Sequence, residues 1–418
     1  MPRFFIQGGR ELNGAIDVAA NKNAILPMMA ATLLTDQDCV IGNVPAIADV
    51  FVMAELLQSV GARVEFTDPR TLTINTSAVR DTHPAGELVA KMRASVLLAG
   101  PLLARFGHWS MDHPGGDSIG TRSIRAHLEA FQILGSTVEI GHGRYEVRNH
   151  HPHPASILLE EASVTATENI MLLAARIPGR TTIRNAACEP HIENLAHMLE
   201  SMGIGIEGAG TNRLHIVGAE SPGGAFCEVW PDHTEAGTFA ALAAACHGTV
   251  TIRNVREEHI ENVIHVLHRM NVDLRLHDHT LEIRPSDLHG VRQIVTGPWP
   301  GFPTDLASIF IVLATQAAGM TLVHDWMYES RMFFIDRLKE MGAQIVLADP
   351  HRCVVSGPSE LRGREFVSPD IRAGIALVMA SLIASGPSEI DRIELIDRGY
   401  ERIDERLRSL GADIVRAE

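Results

Sequence analysis

Hydrophobic and polar positions follow one phrase that recurs six times along this chain. A stretch with apolar residues three and four apart closes on a small residue, and a short alternating segment follows it. The phrase reads SVGARVEF (59–66), ILGSTVEI (133–140), SMGIGIEG (201–208), RMNVDLRL (269–276), EMGAQIVL (340–347) and SLGADIVR (409–416). Its turn positions are Gly61, Gly135, Gly203, Asn271, Gly342 and Gly411, separated by 74, 68, 68, 71 and 69 residues. Glycine and asparagine tolerate the left-handed conformation that closes a helix. Each phrase therefore predicts the end of an amphipathic helix and the start of a strand.

A second apolar helix is predicted upstream in each repeat. These helices open near Asn23, Met92, Ala166, Ala236, Thr304 and Ile371. Short strands follow in CVIGNV, TTIRNA, TVTIRNV, MTLVHD and SEIDRI. Each repeat thus reads helix, strand, loop, helix, strand, which predicts a mixed α/β (α+β) architecture. Six repeats over 418 residues exceed what one core usually holds. Two domains of three repeats are expected, one over 22–231 and the other over 1–21 with 232–418. The crossover is placed near Pro231, after the turn-rich stretch 208–224. Residues 3–18 precede the first helix and need a sheet to join. A cleft between two such domains is a common place for a ligand.

Composition narrows the function. A hydrophobic content of 45% with 21% charged residues is that of a soluble globular protein. A formal charge of −15 argues against general binding of nucleic acid or of an anionic membrane surface. The longest apolar runs, such as 306–315, are too short to span a bilayer. The start MPRFF leads straight into a strand-like segment without a secretory pattern. Cys39, Cys188, Cys227, Cys246 and Cys353 are scattered, with no CxxC pair and no zinc spacing. A reduced, cytoplasmic protein is expected. The histidines at 150, 151 and 153 and the pair at 277 and 279 read as solvated loops rather than metal ligands.

Of 36 lysines and arginines only Lys22, Lys91 and Lys339 are lysine. Where lysine persists, the expectation is a contact that needs a compact ammonium and that a planar guanidinium would not serve. Charged or polar groups also sit at the starts of the first helices: Lys22 with Asn23, Arg93, Glu235, Asp305, and Asp370 with Arg372. The acids there can serve as caps. A cation at a helix N-terminus is electrostatically unfavourable, so Lys22, Arg93 and Arg372 suggest a shared anionic ligand. The stretch HPGGDSIGTR (113–122) adds two adjacent glycines, Asp117 and Arg122. Alone it fits an exposed turn. Beside so many cations it reads as a lid that delivers Asp117 and Arg122 to a ligand.

These motifs, in order, resemble one family. ANKNAILP (20–27), KMRAS (91–95), PGGDSIGTR (114–122), SVTATEN (163–169), PDHTEAGTF (231–239), FPTD (302–305), ESR (329–331), DIRA (370–373) and IDRGYERI (396–403) together resemble the enolpyruvyl transferases, in their sugar-nucleotide branch. The resemblance spans essentially the whole chain. It implies an inside-out barrel in each of two three-repeat domains, with the active site in the interdomain cleft. It implies transfer of the enolpyruvyl group of phosphoenolpyruvate to the 3-hydroxyl of UDP-N-acetylglucosamine, with release of phosphate, in peptidoglycan synthesis. No metal or organic cofactor is implied, because cations already neutralise the leaving phosphate.

Site residues follow from the same resemblance. Lys22, Asn23, Arg93, Arg122, Arg331, Arg372 and Arg398 match the positions that hold phosphoenolpyruvate. Asn23, Arg93, Arg122, Ser163, Val164, Thr304, Asp305, Met327 and Glu329 match those around the nucleotide sugar. His127, Asp232 and Asp370 match supporting positions. Asp305 is implied as base toward the hydroxyl and Asp117 as proton donor, with Lys22 near the reacting carbon. Two acid–base groups flanking that carbon suit addition at C2 and protonation at C3.

Asp117 stands where many members carry a cysteine. To donate a proton at neutral pH it needs a pKa above the usual carboxyl value of ~3.9. Lack of the thiol implies insensitivity to fosfomycin, which alkylates that cysteine. Thr165, Ser123 and His233 depart from the family's usual Gly, Pro and Arg. Other readings share parts of the pattern: a paralogue using shikimate 3-phosphate or another hydroxylated acceptor, a non-catalytic nucleotide-sugar binding protein, and a phosphate cyclase acting on RNA ends. The acid–base pair speaks against the second and the charge against the third. Oligomeric state is not legible.

Overall fold

The structure is a computed structural model that describes residues 2–116, 120, 123–141 and 143–417. Asp117 and Arg122 lie outside the described residues.

All six turn residues adopt positive φ, from 66° at Asn271 to 109° at Gly342. Each ends a helix and each is followed by a strand, as the phrase predicts. The first and second helices of the six repeats are α1 (Lys22–Ala31) and α2 (Ala48–Ser59), α3 (Ala99–Phe106) and α4 (Arg125–Ile133), α5 (Val164–Ala174) and α6 (Pro190–Ser201), α7 (His233–Ala245) and α8 (Glu261–Arg269), α9 (Ala307–Ala314) and α10 (Ile335–Glu340), and α11 (Ile371–Ile383) and α12 (Ile403–Ser409). Two first helices begin with a tighter turn, Arg93–Leu98 before α3 and Thr304–Leu306 before α9. The helices predicted to open at Ala166 and Ala236 start two and three residues earlier, because Ser163 and Asp232 cap them. A second set of left-handed residues was not anticipated. Asn43, Asn185, Asn254 and Arg392 follow the short strands at equivalent places.

The chain forms two compact units, residues 20–116 with 123–230, and residues 2–19 with 120 and 231–417. Among the described residues each unit has three sheets. The first helices sit inside. Every residue of α7 and α9 is buried, as expected for helices apolar on all sides. The strands lie outside and alternate, as in Thr249–Arg253, whose Val250 and Ile252 face the helices. One hydrophobic core fills each unit.

The first residues find their sheets in the second unit. Arg3–Gln7 runs antiparallel between Pro387–Asp391 and Asp413–Ala417. Other repeats continue from the turn strand into a hairpin partner, as Arg63–Asp68 does into Thr71–Asn75. Beside the turn strand of the sixth repeat, Asp413–Ala417, Arg3–Gln7 takes that partner's place. Asn13–Asp17 pairs parallel with Thr249–Arg253. In the first unit, Phe226–Glu228 returns to pair parallel with Cys39–Gly42, with Cys227 opposite Ile41. Among the described residues no helix is long and apolar enough to cross a membrane.

Candidate functional site

In the first unit, Lys22 opens α1. Asn21 caps this helix by accepting from Asn23 N at 2.8 Å and Ala24 N at 3.2 Å. The buried Lys22 ammonium lies 2.8 Å from Asp49 Oδ2, and Asp49 is buried in the first turn of α2. Lys91 is exposed, and Lys339 makes an exposed pair with Asp336 at 3.6 Å. Of the three lysines, Lys22 alone is buried. Asp49 was missed in the sequence because one acid in a helix's first turn has an ordinary explanation as a dipole partner.

Arg93 opens the tight turn before α3 and is half-buried. Gly116 packs on it so closely that a Cβ there would stand 2.9 Å from Arg93 Cβ. Gly115 is tighter still, since its Cβ would meet Ala90 O at 1.8 Å. Glycine is required at both positions, and the approach to the 117–122 stretch is thereby anchored on Ala90 and Arg93.

His127, on α4, is buried in a chain of hydrogen bonds. Asn169 Oδ1 accepts from Gly100 N at 2.7 Å, and its Nδ2 donates to Val96 O at 2.9 Å. That fixes the amide, whose Nδ2 also lies 2.9 Å from His127 Nδ1. Nδ1 must accept, so the ring proton is on Nε2 and is donated to Thr165 Oγ1 at 3.1 Å. Burial, with Arg93 nearby, pushes the His127 pKa down to about 3, and the ring is neutral. Thr165 is thus tied to the segment of Ser163 and Val164, which begins α5 with Ser163 as its cap, accepting from Ala166 N at 3.4 Å. Ser123 accepts from Arg125 N at 3.0 Å at the start of α4. Two of the three departures from the family pattern therefore have local structural partners.

The second unit gathers the other residues. Asp305 accepts from Arg331 Nη2 through Oδ1 at 3.0 Å and from Arg372 Nη2 through Oδ2 at 2.7 Å. Asp305 is not a helix cap, the alternative its position allowed; it is clamped between two guanidiniums. Asp370 and Asp232 are caps. Asp370 accepts from Arg372 N and Ala373 N at 2.8 and 2.9 Å. Asp232 accepts from Thr234 N and Glu235 N at 2.8 and 3.2 Å. Buried Arg372 also donates to Tyr400 OH at 3.1 Å. Tyr400, which lies in the 396–403 motif but was given no role there, bonds in turn to Thr238 at 3.1 Å. Asp305, Tyr400 and Asp232 together outweigh burial and hold Arg372 firmly charged.

The cations at helix starts are therefore not left uncompensated. Lys22 has Asp49 and Arg372 has Asp305, which offsets the helix dipole without any ligand. Glu235 belongs elsewhere: it accepts from Ala19 N at 2.6 Å and from Arg406 Nη2 at 2.9 Å in a buried structural pair. Thr304 and Met327 both bond to a further acid, Asp325. Arg398 and Glu329 are half-buried. His233 is buried edge-on to Trp299, with ring centroids 5.5 Å apart. Burial pushes its pKa down to about 4, against the pull of Asp305. A neutral ring thus stands near Asp305 and Arg372 where the family usually has a cation. Among the described residues no group of His, Cys, Asp or Glu is arranged to hold a metal ion.

The family model for EPSP synthase (3-phosphoshikimate 1-carboxyvinyltransferase) matches residues 6–407. A UDP-N-acetylglucosamine 1-carboxyvinyltransferase of Bradyrhizobium diazoefficiens is 43% identical, over 99% of this chain and 98% of the relative. One of Treponema denticola is 42% identical, over 99% of each. The crystal structure of the enolpyruvyl transferase NikO from Streptomyces tendae matches with a TM-score of 0.88 at 22% identity, covering 100% of this chain and 99% of that one. EPSP synthase from Acinetobacter baumannii matches with a TM-score of 0.78 at 20% identity over all of both chains. These two likenesses concern the fold. With the model and the full-length relatives together, the chain belongs to the EPSP synthase family of enolpyruvyl transferases.

Proposed function

We propose that this chain transfers the enolpyruvyl group of phosphoenolpyruvate to the 3-hydroxyl of UDP-N-acetylglucosamine and releases phosphate, the first committed step of peptidoglycan synthesis. The observation that carries this reading is full-length likeness at 43% and 42% identity to relatives named for that reaction. The likeness to EPSP synthase structures, at 20% identity, is one of fold.

The residues suit the chemistry. Phosphoenolpyruvate carries a phosphate and a carboxylate, which Arg331, Arg372, Arg398, Lys22, Arg93 and Arg122 would share as charge-assisted partners. The acceptor hydroxyl adds at C2 while a proton is delivered to C3. Phosphate then leaves the tetrahedral intermediate and a proton is lost from C3. Asp305 is assigned as the base toward the hydroxyl and Asp117 as the donor to C3. Both Asp305 oxygens now accept from arginines. An arriving anion competes for those guanidiniums and releases the carboxylate as a base when substrate is bound. Asn23, Ser163, Val164, Thr304, Met327 and Glu329 are assigned to the nucleotide sugar, with His127, Asp232 and Asp370 supporting.

The test is phosphate release from phosphoenolpyruvate, first with UDP-N-acetylglucosamine and then with shikimate 3-phosphate. Release with the nucleotide sugar alone is expected. Release with shikimate 3-phosphate alone would reassign the acceptor. Release with neither would overturn catalysis and favour a binding role.

A further inference from the structure

Asp325 lies just after the strand Gly319–His324 and is completely buried. It belongs to none of the motifs that mark the family in this sequence. A buried carboxylate is costly unless donors and a cation meet it, and Asp325 has both. Its Oδ1 accepts from Thr296 Oγ1 at 2.9 Å and from Met327 N at 3.1 Å. Its Oδ2 accepts from Thr304 Oγ1 at 2.6 Å and lies 3.7 Å from Arg331 Nε. The backbone is fixed as well: Asp325 N donates to His351 O at 2.9 Å, and His351 Nδ1 bonds to Asp325 O at 2.7 Å.

We infer that Asp325 is a positioning residue for the transfer reaction, holding Thr304, Met327 and Arg331 in one geometry through a single carboxylate. The inference rests on the function proposed above, which assigns Thr304 and Met327 to the acceptor and Arg331 to phosphoenolpyruvate. Arg331 is held on two edges. Nε faces Asp325, and Nη2 faces Asp305. When a substrate anion draws Nη2 from Asp305, Asp325 keeps the guanidinium in place. The Thr304 hydroxyl spends its proton on the same Oδ2, so its orientation follows Asp325 too.

The chemistry of Asp325→Asn isolates this role. Oδ1 takes two donors, one a backbone N–H, so the amide oxygen settles there. The NH2 then replaces Oδ2 and opposes Arg331 Nε, donor against donor. The expected result is a KM for phosphoenolpyruvate raised about 10-fold or more and an acceptor KM raised about 5-fold, measured per folded molecule. Thr296→Val removes a donor from the other oxygen and leaves the Arg331 side intact. It is expected to lower Tm without moving the phosphoenolpyruvate KM. Unchanged KM values in Asp325→Asn, or an equal rise in Thr296→Val, would overturn the inference, because general loosening would then account for both. If Asp325→Asn does not fold, Asp325→Glu serves: its longer arm keeps the charge but displaces the carboxylate from Thr304 and Arg331, so both KM values raised support the inference, and two unchanged KM values overturn it. Wild-type turnover in the same assay separates this failure from that of the proposed function, since an inactive wild type refutes the latter alone.

Discussion

Arg372 Nη2 stands 2.7 Å from Asp305 Oδ2, across 67 residues of sequence, and closes a clamp whose other arm is Arg331. Under the proposed function, Asp305 and the substrate anion compete for these two guanidiniums. Asp305→Asn is therefore expected to reduce kcat about 10²–10⁴-fold, the usual range for a lost general base. The KM for phosphoenolpyruvate should stay level or fall, because the arginines lose a rival. Steady-state kinetics with each substrate varied will check this. A KM that climbs with the loss of kcat would show that Asp305 organises the arginines rather than competing with substrate.

Lys22 depends on Asp49 in the same way that Arg372 depends on Asp305. The pair is buried, and removing one partner of a buried pair costs about 3 kcal/mol. Asp49→Asn should lower Tm by several degrees and weaken phosphoenolpyruvate binding. Lys22→Arg should preserve the charge and still lose activity, because a planar fork does not place a compact charge 2.8 Å from Asp49 in this enclosed position. Wild-type activity in Lys22→Arg would remove any special role for the ammonium.

Acid should destabilise the protein through His127. Its pKa is about 3 in the fold, below the ordinary 6.5, because burial excludes the charged ring. The unfolded chain therefore binds the proton first. The contribution of His127 is complete above pH ~6.5 and is lost as pH falls from there toward about 3, amounting to about 2 kcal/mol at pH 5. His233 and His259, each about 4 through burial, act with the same sign. In His127→Gln the side-chain amide can accept from Asn169 and donate to Thr165. Its Tm should fall less steeply between pH 7 and pH 5 than that of the wild type. Parallel curves would mean that His127 is not buried neutral.

Fosfomycin should not inactivate the protein. The position matched to the family's reactive cysteine is Asp117, and the five cysteines are buried. Burial pushes the thiols of Cys39, Cys188 and Cys227 up to about 11, and those of Cys246 and Cys353 to about 12, so thiolate is scarce. Asp117→Cys should restore time-dependent inactivation and a covalent adduct visible by mass spectrometry. The wild type's activity should also extend to lower pH relative to Asp117→Cys; superimposable pH profiles would deny Asp117 the role of acid.

The repeat architecture was legible in the sequence because its signals are local. A helix ending on a left-handed residue needs glycine or asparagine at that position, whatever the rest of the chain does, and Gly61 through Gly411 obey. The candidate cations at helix starts were visible for the same reason, since an unfavourable charge stands out against a helix dipole. That the first helices lie inside each unit was shown by their burial in the fold, as in α7 and α9.

Partnership was decided only by the tertiary structure. Asp49 and Asp325 are single acids with ordinary local explanations, and no spacing rule links Lys22 to Asp49, or Thr296, Thr304 and Arg331 to Asp325. Glu235 looked like Asp305 at a helix start, yet packing gave one to Arg406 and the other to Arg331 and Arg372. The sequence alone determined which segments are helix or strand and how often they recur, because backbone conformation answers to neighbours along the chain. Which carboxylate meets which cation, and which histidine stays neutral, depended on the fold, because charge and burial answer to neighbours in space.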